Sequence, residues 1–351
     1  MNKKYNLRTG DSIAFIDLPY PYGGKHPYFN GSAATAAAQF VDAGFQVFWI
    51  DLNIDPLKSE YVQRILNNSS AVAISVVGAP SIPNAKKLSN YLLENYPEIF
   101  LYIGGAVIEG ISQECFTGIF SKNTIRACRV EDILGLGVKA WRNVSLRPIW
   151  EKLPKRYQKE YLSRTIPLVI SIGCKFKCNF CAVPGKGKPE VFKNLAVFHI
   201  DTEMFLESAD EFGIHTVNMY ASILDLFQSM MGKEHTIMAY IDVLATLNNN
   251  VEYSSRISWS ALTTLISLRI AYEKGIEGFA ESIQASGLKM IGGGADGTLE
   301  TIWKKLKKRH NQSLEDVFTF IAICKELKVT PDVLMVMGFP HDTFASMFSN
   351  M

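Results

Sequence analysis

The stretch 171-SIGCKFKCNFCAVPGKGKP-189 sets cysteines at 174, 178 and 181, so three of the six cysteines in a 351-residue chain fall inside eight positions. The run before it, IPLVISIGC, is apolar enough to be a buried strand, which puts the cysteines in a loop at that strand's carboxyl end. Parallel α/β folds place their chemistry at that edge. Clustered thiolates in a reducing compartment are metal ligands or redox groups more often than disulfides. A closed structural zinc site needs four ligands, and no further Cys or His follows at finger spacing. Three thiolates on an iron–sulfur cubane leave one iron open. The alternative is a zinc knob completed by distant Cys115, Cys128 or a histidine.

Downstream of this loop, strand-like and helical runs alternate. They read as strand IPLVISIGC, helix DTEMFLESADEFG, strand IHTVNMYAS, helix HTIMAYIDVLATLNN, strand VEYSSRIS, helix ALTTLISLRIAYEKG, strand IEGFAESIQ, helix SLEDVFTFIAICKELK and strand TPDVLMVMGFP. Five strands with crossover helices predict a partial (β/α) barrel over residues 166–351. A full eight-fold barrel takes about 250 residues, so this one is expected to be open and short at its carboxyl side, with a partner chain or second copy completing the wall.

Upstream, residues 12–135 show the same rhythm in SIAFIDLP, QVFWIDLN, AVAISVVG, FLYIGGAV and TIRACRV, which predicts a doubly wound parallel α/β sheet in a domain of residues 1–138. Its strand ends, Pro19 to Gly24, Ser75 to Gly78 and Gly104-Gly105, are where a ligand is expected. The charged and aromatic segment 139–165 reads as the connection between the two domains.

Composition adds exclusions. The chain is 48% hydrophobic and 20% charged with a formal net charge of +2, which offers no electrostatic reason to expect nucleic acid. The apolar run Ile13 to Leu18 is too short for a signal sequence. The longest apolar candidate, Ile257 to Ala271, is broken by Ser, Thr and Arg269, so no membrane span and a cytoplasmic location are expected. The basic runs 303-WKKLKKRHN-311 and 185-GKGKP-189 read as a solvated helix face and a loop covering the cysteines.

The Cys-x3-Cys-x2-Cys loop, with Phe180 before the last cysteine, resembles that of the radical S-adenosylmethionine superfamily. The resemblance implies a 4Fe-4S cluster on Cys174, Cys178 and Cys181, with S-adenosylmethionine on the open iron. It also implies one-electron cleavage to a 5′-deoxyadenosyl radical and a reductant such as flavodoxin or ferredoxin. Three later stretches resemble the branch with an amino-terminal cobalamin-binding domain. Arg256 resembles the arginine ending the third barrel strand, Glu281-Ser282 resembles a Gly-Ile-Glu-Ser motif, and 338-GFPHDT-343 resembles Gly-x-Pro-x-Glu-Thr. A guanidinium suits the methionyl carboxylate and a carboxylate suits ribose hydroxyls; ordinary internal ion pairing is the alternative for each. Where the family carries an acidic pair, this chain reads Met219-Tyr220-Ala221-Ser222, leaving Ser222 or Asp225 to meet the methionyl amine.

Ser75 to Gly78 and Gly104-Gly105 resemble the cobalamin-binding loops. The Asp-x-His-x-x-Gly motif that supplies an axial histidine is absent, the nearest histidine being His26. The resemblance implies a cobalamin-dependent C-methyltransferase on an unidentified substrate. The alternatives are a cobalamin-independent radical rearrangement, cyclisation or oxidation, and a non-catalytic relative that binds the cofactors.

Overall fold

The structure, a computed structural model, describes residues 7–19, 27–127, 129–134, 139–178, 181, 187–232, 236–295 and 314–335. It divides into two compact units, Met1–Tyr161 and Leu162–Met351.

The first unit is built on five parallel strands, β1 (Ser12–Asp17), β2 (Gln46–Asp51), β3 (Ala71–Ser75), β4 (Phe100–Gly104) and β5 (Thr124–Arg126), in the order β2-β1-β3-β4-β5. The four central residues of β1 are all buried, which is how a parallel sheet covered on both faces reads in sequence. Ala14 and Ile16 join one core with Val72, Ile74, Leu101 and Ile103, closed by Val62, Leu66, Leu88 and Leu92 from the helices Glu60–Asn67 and Ile82–Asn95. Phe15 points the other way and meets Phe40 of the helix Gly31–Asp42 edge to face. Asn30 caps that helix by accepting the Ala33 amide, which starts it directly above the end of β1.

The segment expected as a connection, 139–165, is instead folded onto this sheet as far as Tyr161. It carries the helices Arg147–Trp150 and Lys155–Leu162, and Trp150, Tyr157 and Tyr161 are buried. Phe29 lies within ring contact of Trp49, Trp150 and Tyr161, and the Trp49 indole donates to the Tyr161 hydroxyl at 3.1 Å. The same aromatics that make the segment look unlike a strand give it this apolar face.

The second unit has five parallel strands, β6 (Ile166–Val169), β9 (Thr216–Ser222), β10 (Arg256–Thr263), β11 (Leu288–Gly294) and β12 (Thr330–Leu334), in the order β12-β11-β10-β9-β6. Between β6 and β9 an antiparallel hairpin of β7 (Ser171–Cys174) and β8 (Lys188–Phe192) breaks the expected single strand IPLVISIGC in two. Two further strands differ from the sequence expectation. VEYSSRIS yields to a later strand beginning at Arg256, and FAESIQ forms the helix Phe279–Ala285, with Phe279 and Ile283 buried one turn apart. The true strand, LKMIGGG, has poor strand propensity, but its glycines make room for neighbours. A Cβ on Gly293 would lie 2.7 Å from the rings and methyls of Phe320 and Leu265, and one on Gly292 would lie 2.6 Å from Leu262.

No helix among the described residues is long and apolar enough to cross a membrane.

Candidate functional site

Cys174 ends β7, and the backbone that delivers it is constrained. Gly173 has φ +115°, and a Cβ there would lie 2.5 Å from the Pro189 carbonyl oxygen of the facing strand. The strand pairing also shifts between Ile172 and Cys174. Cys178 is buried, Cys174 and Cys181 are half-buried, and the Cys181 amide turns back onto the Cys178 carbonyl at 3.2 Å. Burial pushes the Cys174 thiol up to about 11, helped by the charges of Asp225, Cys178 and Cys181 and opposed by the Phe176 amide. A metal centre that binds thiolate reverses such a shift, because coordination favours the deprotonated form.

This donor set fits a thiolate-held iron–sulfur cluster: three soft ligands from one loop, at a carboxyl strand edge, in a partly dry setting. Among the described residues, no three His, Cys, Asp or Glu side chains already stand together as a metal cage.

Two uncharted side chains sit beside Cys174. Gln228 accepts the amide of Lys175 at 2.8 Å and faces Glu190 at 3.4 Å, while Glu190 accepts the Ser171 hydroxyl at 2.5 Å. Burial raises Glu190 to about 7; the bonds from Ser171 and Gln228 pull the other way, and the charge of Asp225 adds to the rise. Lys175, Gly187, Lys188, Glu190, Phe192 and Gln228 line an open cleft of about 580 Å³. No motif signals either residue in the sequence. Glu190 lies in GKPEVF, whose mixed exposure hides a strand, and Gln228 lies in a short turn after β9.

The other expected residues scatter. Ser222 ends β9 at the carboxyl edge, exposed, and pairs in register with Val169 at the end of β6. Asp225 does not reach outward. It is 1% exposed and accepts from Thr263 Oγ1, the Thr264 amide and hydroxyl, and Ser267 Oγ, at 2.8 to 3.2 Å.

Arg256, expected at the end of a strand, opens β10 instead, at the opposite edge from the cysteines. Its guanidinium donates to the carbonyls of Tyr253 and Ser255. Glu281 and Ser282 lie on the helix Phe279–Ala285, just before β11 begins at Leu288, and not at a strand end. The misplaced strand boundaries account for both corrections. Phe180, 338-GFPHDT-343, His26 and Cys128 lie outside the described residues.

In the first unit, Ser75 and Gly104 are register partners at the carboxyl ends of β3 and β4. Gly105 adopts φ +100° and ψ 168°, and a Cβ on it would fall 2.6 Å from the Val76 amide and carbonyl. Ala33, Ala36, Phe40, Ser75, Gly104 and Gly105 help line a small recess of about 180 Å³ between the sheet and the helix Gly31–Asp42. Gly78 stands beyond this recess, capping the turn into the next helix.

The pattern of the family described as the Radical SAM superfamily matches residues 168–348. No curated protein matches the chain. Among solved structures, the chain is similar to TsrM from Kitasatospora setae, a radical S-adenosylmethionine methyltransferase bound to tryptophan and an S-adenosylmethionine analogue. The identity is 14% over 97% of this chain and 70% of that one, with a TM-score of 0.70. It is also similar to OxsB, a cobalamin-dependent S-adenosylmethionine radical enzyme with aqua-cobalamin and S-adenosylmethionine bound. There the identity is 13% over 97% of this chain and 51% of that one, with a TM-score of 0.74. The chain thus spans about half the length of OxsB.

Proposed function

The chain belongs to the radical SAM superfamily, and from that premise we propose that it is a cobalamin-dependent C-methyltransferase whose cluster is held by Cys174, Cys178 and Cys181. As a radical SAM enzyme it takes a 4Fe-4S cluster and S-adenosylmethionine. When bound, these supply a 5′-deoxyadenosyl radical, and cobalamin supplies a transferable methyl group. The protein's own work is to bind and orient. The buried position of Cys178 would shield a ligating thiolate from water, and to the exposed Ser222 hydroxyl, at the end of β9, we assign the methionyl amine.

The observation that carries the cobalamin assignment is the recess behind Ser75, Gly104 and Gly105. It lies at the carboxyl ends of β3 and β4, the edge of a doubly wound sheet where ligands dock, and Ala33, Ala36, Ser75 and the two glycines keep its lining small-sided there. The cobalamin named in the OxsB structure and the methyl transfer named for TsrM support this reading.

Anaerobic reconstitution in the presence of cobalamin tests it. About four irons per chain, reductive formation of 5′-deoxyadenosine and retention of corrinoid absorption after desalting are expected. Iron and 5′-deoxyadenosine without retained corrinoid would move the assignment to a cobalamin-independent radical reaction. Cofactor binding without 5′-deoxyadenosine would mark a non-catalytic relative.

A further inference from the structure

We propose that Gln228, Glu190 and Ser171 form a clamp that positions Cys174 and the amides around its sulfur. The inference rests on the assignment of Cys174 as a cluster ligand.

β7 is four residues long and its pairing with β8 is irregular between Ile172 and Cys174, so the strand ladder alone does not fix the residue that ends it. The clamp grips both ends of this strand. At the start, the Ser171 hydroxyl donates to Glu190 Oε1 at 2.5 Å; just past the end, the Lys175 amide donates to Gln228 Oε1 at 2.8 Å. Gln228 Nε2 faces Glu190 Oε2 at 3.4 Å and closes the circuit.

Gln228 is itself well held. It is 5% exposed, its amide donates to the Asp225 carbonyl at 3.1 Å, and Leu226 donates to Leu262 of β10 at 2.8 Å. Asp225 in turn is bound by Thr263, Thr264 and Ser267, so the clamp is anchored on the end of β10.

The chemistry of the site selects an amide at position 228. Its oxygen takes a backbone N–H while its nitrogen gives to a carboxylate; a glutamate there would face Glu190 with like charge, and an apolar side chain would satisfy neither partner. Gln228 occupies the Lys175 amide, while the next amide, that of Phe176, favours the Cys174 thiolate. Hydrogen bonds to ligating sulfurs set the electronic properties of iron–sulfur centres. The clamp therefore acts on the cluster through the geometry of Cys174.

The test compares the wild type with Gln228→Glu, Glu190→Gln and their combination, each reconstituted anaerobically. Gln228→Glu should take up iron normally, yet shift the electron paramagnetic resonance spectrum of the reduced cluster and slow 5′-deoxyadenosine formation about tenfold or more, the usual effect of losing a group that orients a metal ligand. The double exchange re-creates an amide–carboxylate pair in reverse and should restore both readouts to within about threefold of wild type. In iron-free protein the alkylation rate of Cys174 should change in Gln228→Glu and return in the double exchange. Should Gln228→Glu fail to fold, Gln228→Asn, which keeps the amide but shortens its reach, is read by the same three measurements. Unchanged spectra, rates and alkylation in iron-replete single variants would overturn the clamp, as would a double exchange no better than Gln228→Glu. A wild type that takes up no iron would instead overturn the cluster assignment beneath it, so the two failures are separable.

Discussion

Asp17 and Asp51 are register partners at the last position of β1 and β2, so two carboxyls share one edge of the first sheet. Burial raises Asp17 well above the usual carboxylate range and the charge of Asp51 raises it further, against the pull of Asn30 and the Leu18 amide. Asp51 is raised by burial despite bonds from Asn53 and Tyr161.

A carboxyl whose folded pKa lies above its unfolded value keeps a proton that the unfolded chain has lost. Folding is then penalised progressively as pH rises through the folded value, and the penalty vanishes below the unfolded one. Asp17→Asn should therefore match the wild-type melting temperature near about pH 4 and exceed it by a margin that widens toward about pH 8. Thermal scans across that range check it; a constant margin would contradict the shared burial of the two acids.

Cys178→Ala should abolish iron uptake and 5′-deoxyadenosine formation, because the cluster depends on all three thiolates. Cys324 is wholly buried and its thiol is pushed up to about 12 by burial alone, which marks an inert packing group. Cys324→Ala should cost about 1 kcal/mol of stability and leave iron content unchanged. Iron analysis of the two variants side by side distinguishes a ligand from a packing thiol.

Gly105→Ala forces a side chain into a backbone region reserved for glycine and against Val76. We expect a loss of about 2 kcal/mol or more by urea denaturation, together with weaker corrinoid retention. Wild-type stability in this variant would show that the β4 turn can relax.

Arg256→Ala removes bonds that close only the local turn before β10. The rate of S-adenosylmethionine cleavage should stay within about twofold of wild type, with at most about 1 kcal/mol lost in stability. A tenfold or greater loss would place Arg256 back in the cofactor site.

The sequence exposed the first sheet well, because strands covered on both faces appear as uninterrupted apolar runs such as IAFI and AVAI. It also exposed the cysteine loop, where chemistry dictates residue type and spacing together. It concealed β11, whose glycines answer to Phe320 and Leu265 and not to strand propensity, and so FAESIQ took the strand's place. The run VEYSSRIS precedes most of β10, so its pattern puts Arg256 near a strand end where the structure has the strand's first residue. Gln228 and Glu190 meet across a separation of 38 residues, and nothing local in either stretch encodes that meeting.

The aromatic docking of residues 147–161 bears on how this chain can be divided. Cutting at residue 138 would strip Trp150, Tyr157 and Tyr161 from Phe29, Trp49 and Asp51, leaving a bare apolar flank and a carboxylate stripped of one hydroxyl donor. A cut that leaves this aromatic packing whole therefore falls after Tyr161, where the first compact unit ends.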